Sequence, residues 1–142
     1  MNDTRLRRLA ELADRQELLE LVRAYSQLLD RQDFDAMRAL FTEDSVNVHG
    51  GDEELSTDEF IELVTHNREF AHTTHYAVQG VFEIDGDEAT GETYKVSYNR
   101  SGLPEDHESL WGSRSYEQFR RVDGVWKFSR RTIALDWTEP EG

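Results

Sequence analysis

Cysteine is absent from the 142-residue chain, which excludes a disulfide scaffold, a thiolate nucleophile and a thiolate zinc site. Positive charge is scarce: 16 Lys and Arg stand against 30 Asp and Glu, a formal net charge of −14. Binding to polyanions relies on clustered cations that release counterions, so no nucleic-acid partner is expected. Lysine is rarest among the basic residues, 2 against 14 Arg, a bias that fits either genome composition or an acidic, salt-adapted surface. No window approaches the run of about 18 apolar residues that a membrane span needs. The opening "MNDTRLRRLAELADRQELLE" is also too charged for a secretory signal. The expectation is a cytoplasmic protein with no membrane partner.

What is present suffices for one core. With 37% apolar and 11% aromatic residues, the chain reads as a single domain spanning residues 1–142. The acidic runs "GDEELSTDE", "DGDEATGE" and "EPEG" read as solvated faces and loops, and "TEPEG" as a disordered or lid-like tail. Leu18, Leu21, Val22, Tyr25, Leu28 and Leu29 recur at spacings of three and four, the stripe of a long amphipathic helix. Asp33 is placed to cap a short second helix, and "STDE" at 56–59 forms a capping box before a third. "SVNVHG" between them reads as a short strand. From about residue 72 the period changes to two, with turn signals at "DGDE" and at the Asp-Gly pair 123–124. The fold class is therefore α+β, with a curved antiparallel sheet wrapped around the N-terminal helix. "NRSGLPEDHE", residues 99–108, is a loop long enough to fold over a ligand.

Several residues stand out against this framework. Asp30 lies at the C-terminal end of the long helix, where the dipole disfavours an anion. Its line back through Ser26 to Val22 borders the apolar stripe, so it either faces inward or is a solvated acid of the connection. In "AHTTHYAVQG" a strand sends one of His72 and His75 inward; apolar residues on both faces leave the choice open. The same alternation argues against zinc at "HTTH", because residues three apart on a strand point to opposite faces. No metal is expected. Arg131 shares an alternating row with Ser129, Ile133 and Leu135. A guanidinium there needs either an acid partner or a ligand, because burying it unpaired is costly. Tyr25, Tyr98, Trp111 and Trp137 are expected to face the core.

The segments "ELLELVRAYSQLLDRQDFDAMRALFTEDSV", "HTTHYAVQG" and "GVWKFSRR" together resemble the nuclear transport factor 2-like superfamily. The resemblance is to the SnoaL-like branch, which includes scytalone dehydratase, bile-acid dehydratase and hexachlorocyclohexane dehydrochlorinase. It covers nearly the whole chain and implies a cone-shaped α+β barrel in which an Asp-His pair faces a cavity. On that likeness Asp30 and His75 correspond to the pair, Tyr25 to the tyrosine of the bile-acid enzyme, and Arg131 to an arginine of the dehydrochlorinase. Two departures stand out: the first-helix lysine of the dehydrochlorinase has no counterpart, and the second catalytic histidine of scytalone dehydratase is replaced near Tyr98.

The resemblance implies a cofactor-independent lyase in which His75, oriented by Asp30, removes a proton next to a carbonyl, with Tyr25 and Arg131 as donors to the developing charge. The same apparatus serves a double-bond shift or the aldol ring closure of a polyketide cyclase. A noncatalytic binding or assembly domain is the competing expectation, since fold does not fix function. His49, Phe70, Val96, Tyr98, Trp111, Ser113, Ile133 and Leu135 are expected to line the substrate site. Such a wall suits a largely apolar ring compound such as a steroid, a polyketide or an aromatic metabolite. A homo-oligomer, dimer or trimer, is expected because an open sheet exposes a broad face and edges.

Overall fold

A computed structural model describes residues 2–66, 70–101 and 107–140. Helix α1 spans Asp3–Arg31, α2 Phe34–Arg38 and α3 Thr57–His66; strands are β1 Phe41–His49, β2 Phe70–Asp85, β3 Glu88–Ser101, β4 Glu108–Val122 and β5 Val125–Glu139. The helix boundaries follow the local chemistry. Asn2 accepts the Arg5 amide at 2.9 Å, and Gln32 closes α1 in the left-handed region at φ 56°. Asp33 accepts the Ala36 amide at 3.2 Å, so the second helix starts where the cap residue predicts. The capping box forms reciprocally: the Ser56 amide donates to Glu59 Oε1 at 3.1 Å and the Glu59 amide to Ser56 Oγ at 3.2 Å.

The strands run in the order β1-β5-β4-β3-β2. Three antiparallel pairings join β2 through β5, while β1 pairs in parallel with β5. The sheet is therefore mixed rather than antiparallel throughout, and it stays open, since its edges β1 and β2 do not pair. Two-residue turns join β2 to β3 and β4 to β5; in the second, Asp123 and Gly124 both have positive φ, 50° and 78°, as a type I′ connection requires. Helix α1 packs against β2 and β5. Its stripe is buried only from Leu18 onward, with Leu18, Val22 and Tyr25 at 0 to 2% exposure, whereas Leu6, Leu9 and Leu12 remain exposed. Asp14 ties the helix to the far end of the sheet, accepting from Arg121 at 3.0 Å and from the Trp126 indole at 3.1 Å.

Two irregularities in the ladder decide which side chains face the helix. Near its turn β2 buries Phe82 and pairs Gly80 with Thr93, but beyond Val78 the register slips, so that Ala77 pairs with Lys95 and His75 with Ser97. One extra residue in β2 moves its inward positions from the even to the odd numbers. On β5 a second slip at Ser129 puts Phe128 and Arg131 on the same inward side.

Packing beside the first bulge is tight. A Cβ on Gly91 would lie 2.8 Å from Phe82 Cδ1 and 3.0 Å from Phe119 Cε2, and both rings are buried. Gly91→Ala is expected to destabilise the protein by about 1–3 kcal/mol, the range for overpacking a filled core. Urea unfolding measures this, and an unchanged midpoint would show that the rings can yield.

Candidate active site

Between α1, α3 and the inward face of the sheet lies a cavity of about 390 Å3, bounded among others by Tyr25, His75, Lys95, Trp111 and Arg131. The aromatic core forms its floor. The Tyr25 ring meets Phe41 and Phe128 edge-on at 6.2 and 6.0 Å and stacks on Phe60 at 6.4 Å.

On one wall, the last turn of α1 delivers Asp30 to β2. Its Oδ1 lies 2.6 Å from His75 Nδ1 and accepts the Thr73 hydroxyl at 2.9 Å, while Oδ2 accepts the His75 backbone amide at 2.9 Å. Hydrogen bonds to a charged acceptor contribute about 1.5–3 kcal/mol each, against about 0.3–1 kcal/mol for an anion at a helix C-terminus. The three donors therefore outweigh the dipole. A carboxylate on Nδ1 selects the tautomer with the proton there, so Nε2 is left with its lone pair. His75 lines the cavity, and the two side chains are 19% and 21% exposed. His72 points outward and is exposed.

Facing this pair are polar groups without partners. Arg131 is 1% exposed, and none of its three guanidinium nitrogens has a hydrogen-bond partner among the described residues. Its Cζ sits 3.8 Å from the Tyr25 ring centroid, and the Tyr25 hydroxyl is likewise unpartnered. Glu117 is in register with Arg131 but gives one carboxylate oxygen to the Thr93 hydroxyl at 2.6 Å and leaves the other unbonded. Arg131 thus lines the cavity with no structural salt bridge among the described residues.

Of the expected wall residues, His49, Trp111, Ser113, Ile133 and Leu135 line the cavity. The Phe70 side chain lies outside the described residues, as do loop positions 102–106. Val96 and Tyr98 do not line it: they belong to the outer face of β3, and Lys95, Ser97 and Asn99 take the inward positions. β3 alternates without a break, and its odd-numbered row is the buried one from Ala89 to Ser101; the β2 bulge acts on His75, which an unbroken register from the Asp85–Glu88 turn would set opposite Tyr98 on the outer face. Ser129 also leaves the row of Arg131 and lies in an outer groove with Arg130. Alternation alone missed Lys95, because its polar row in "TYKVSYN" reads as the solvent side. A lysine therefore does enter the cavity, from β3 rather than from the first helix. Burial first and the Arg131 charge second lower its amine to about 7, with Glu117 opposing. His49 stands at the mouth, exposed, and partial desolvation followed by the charges of Arg131, His75 and Lys95 holds its imidazole below the ordinary value.

Among the described residues no group of three or more His, Asp or Glu side chains is placed to hold a metal. No helix among them is long and apolar enough to cross a membrane.

The long helix, the open mixed sheet and the cavity between them define a nuclear transport factor 2-like protein. More closely, the chain belongs to the SnoaL-like domain family, whose family model matches residues 10–132. A protein of Novosphingobium aromaticivorans DSM 12444 provisionally named scytalone dehydratase superposes with TM-score 0.85 at 20% identity, over 93% of this chain and 90% of that one. Hexachlorocyclohexane dehydrochlorinase type 3 from Novosphingobium barchaimii LL02 gives 0.82 at 18% identity, over 92% and 91%. An NTF2-like protein with a cystatin-like fold from Novosphingobium aromaticivorans gives 0.77 at 28% identity, over 94% and 90%. No curated protein matches the chain.

Proposed function

We propose that the chain is a cofactor-independent lyase of the dehydratase kind. His75 Nε2 removes a proton next to the carbonyl of a small, mostly apolar cyclic or ketone substrate, and hydroxide leaves from the neighbouring carbon. The observation that carries this reading is the Asp30–His75 pair opening onto the same cavity as the unpartnered Arg131 guanidinium and Tyr25 hydroxyl. A base with a fixed tautomer lacks only a substrate C–H within about 3 Å. A buried cation and a hydroxyl supply donors where negative charge develops, on an enolate oxygen or on the departing hydroxide. Tyr25, Trp111, Ile133 and Leu135 favour an apolar ring over a polar metabolite. Relatives named as a dehydratase and a dehydrochlorinase, both eliminating enzymes by name, support the reaction class.

The test uses a panel of cyclic β-hydroxyketones in deuterium oxide. Exchange of the α-proton, followed by NMR, reads the base; absorbance of the conjugated enone reads loss of water. Both signals are expected. Exchange without enone would replace elimination by a double-bond shift or a ring closure, which use the same base. Tight binding with neither signal would make the cavity a noncatalytic pocket.

A further inference from the structure

Lys95 takes no part in the elimination above, yet the fold builds it into the same cavity. It is 6% exposed, and its Nζ has no hydrogen-bond partner among the described residues. Nζ lies 4.7 Å from the Tyr25 ring centroid, on the ring that also holds Arg131. The ionisable groups around it are Tyr25 from α1, His49 from β1, His75 from β2, Glu117 from β4 and Arg131 from β5. The only acid among them, Glu117, is engaged by Thr93. An ammonium here is desolvated, lacks an acceptor and stands near a guanidinium; the free amine avoids all three costs. Those same conditions leave a lysine lone pair available for attack on carbon.

We propose that Lys95 is a nucleophilic amine that forms a Schiff base with the carbonyl of an aldehyde or ketone substrate in this cavity. The Nζ lone pair forms the C–N bond as the carbonyl π bond breaks, and the amine proton moves to oxygen to give a carbinolamine. The C–O bond then breaks, the oxygen leaves as water with a proton taken from solvent, and the iminium remains. Ser113, opposite Lys95 in the register, and Ser97 bring hydroxyls to the wall where that water departs.

The later steps rest on the reading of His75 as the base. His75 takes the α-proton, the C–H electron pair neutralises the iminium as an enamine, and the enamine expels the β-hydroxyl with the proton His75 holds. Hydrolysis of the conjugated iminium returns the enone and the free amine. An amine lowered to about 7 is half neutral near that pH, whereas an ordinary lysine near 10.4 is less than about one part in a thousand neutral.

The chain carries its own control, since Lys127 is its one other lysine. The full-length protein is incubated at pH 7 with cyclohexanone and cyanoborohydride, and in parallel with formaldehyde, which is small enough to reach any amine. Intact mass and peptide mapping locate the adducts. Lys95 is expected to react at least about 10-fold faster than Lys127, with a rate that rises through pH 7 and then levels off. Lys95→Met, checked for fold by circular dichroism, is expected to lose the fast adduct. Modification of Lys95 no faster than Lys127 by either probe would overturn the proposal. α-Proton exchange without trapping would do so too while leaving His75 as the base; trapping without exchange would keep Lys95 and remove the elimination reading.

Discussion

His75→Ala is expected to slow α-proton exchange and water loss by about 10²- to 10⁴-fold, the contribution of a positioned general base. The loss falls on kcat, because the imidazole acts on the reacting proton rather than on the apolar body of the substrate. Asp30→Asn separates the pair from its parts. The amide keeps the size of the carboxylate and an oxygen for the His75 backbone N–H, while its NH2 group faces the Thr73 hydroxyl, which can turn to accept. It removes the anion that holds the proton on Nδ1. A fall in exchange rate with a nearly unchanged melting temperature is the expected outcome. Full activity in Asp30→Asn would end the dyad, and full activity in His75→Ala would end the mechanism. The exchange rate measured by NMR, with thermal unfolding of the same samples, decides both.

Arg131→Met is expected to move function and stability in opposite directions. Removal of a preorganised donor to a developing oxyanion lowers kcat by about 10²- to 10³-fold. Two opposed effects set the stability. The cation over the Tyr25 ring at 3.8 Å contributes about 2 kcal/mol when desolvated. Burial of an ion costs several kcal/mol even after relaxation, and no hydrogen bond among the described residues offsets it. Desolvation outweighs the attraction to the ring, so the melting temperature is expected to rise in the variant as activity falls. A fall in melting temperature with activity retained would show that Arg131 holds the fold rather than a ligand. Among the described residues the guanidinium has no acceptor, and under the proposed function a substrate oxygen would supply one.

Much of the architecture was legible locally. The stripe Leu18, Val22, Tyr25, the cap at Asp33, the box at Ser56 and Glu59 and the Asp123-Gly124 turn each report a constraint satisfied within a few residues, and each stands where its pattern predicts. The candidate site was legible in part. Resemblance pointed to Asp30, His75, Tyr25 and Arg131, which the fold brings around one cavity. Alternation misplaced Val96 and Tyr98 and passed over Lys95, because it treated the apolar row of β3 as the inward one. That row instead forms the outer face, and the polar row lines the cavity.

By itself, then, the sequence determined the class of the fold and the order of its elements, and the lack of cysteine limited the chemistry open to it. Tertiary structure alone decided which strand rows face inward. Strand side chains alternate with a period of two, so a single residue inserted at Val78 reverses the positions from Ala77 back to His72. Where that residue is inserted shows only in the pairing with β3. His75 faces Asp30 because of that insertion, and Arg131 stands beside Lys95 because a second one at Ser129 sets its side of β5; no signal within their own segments announces either.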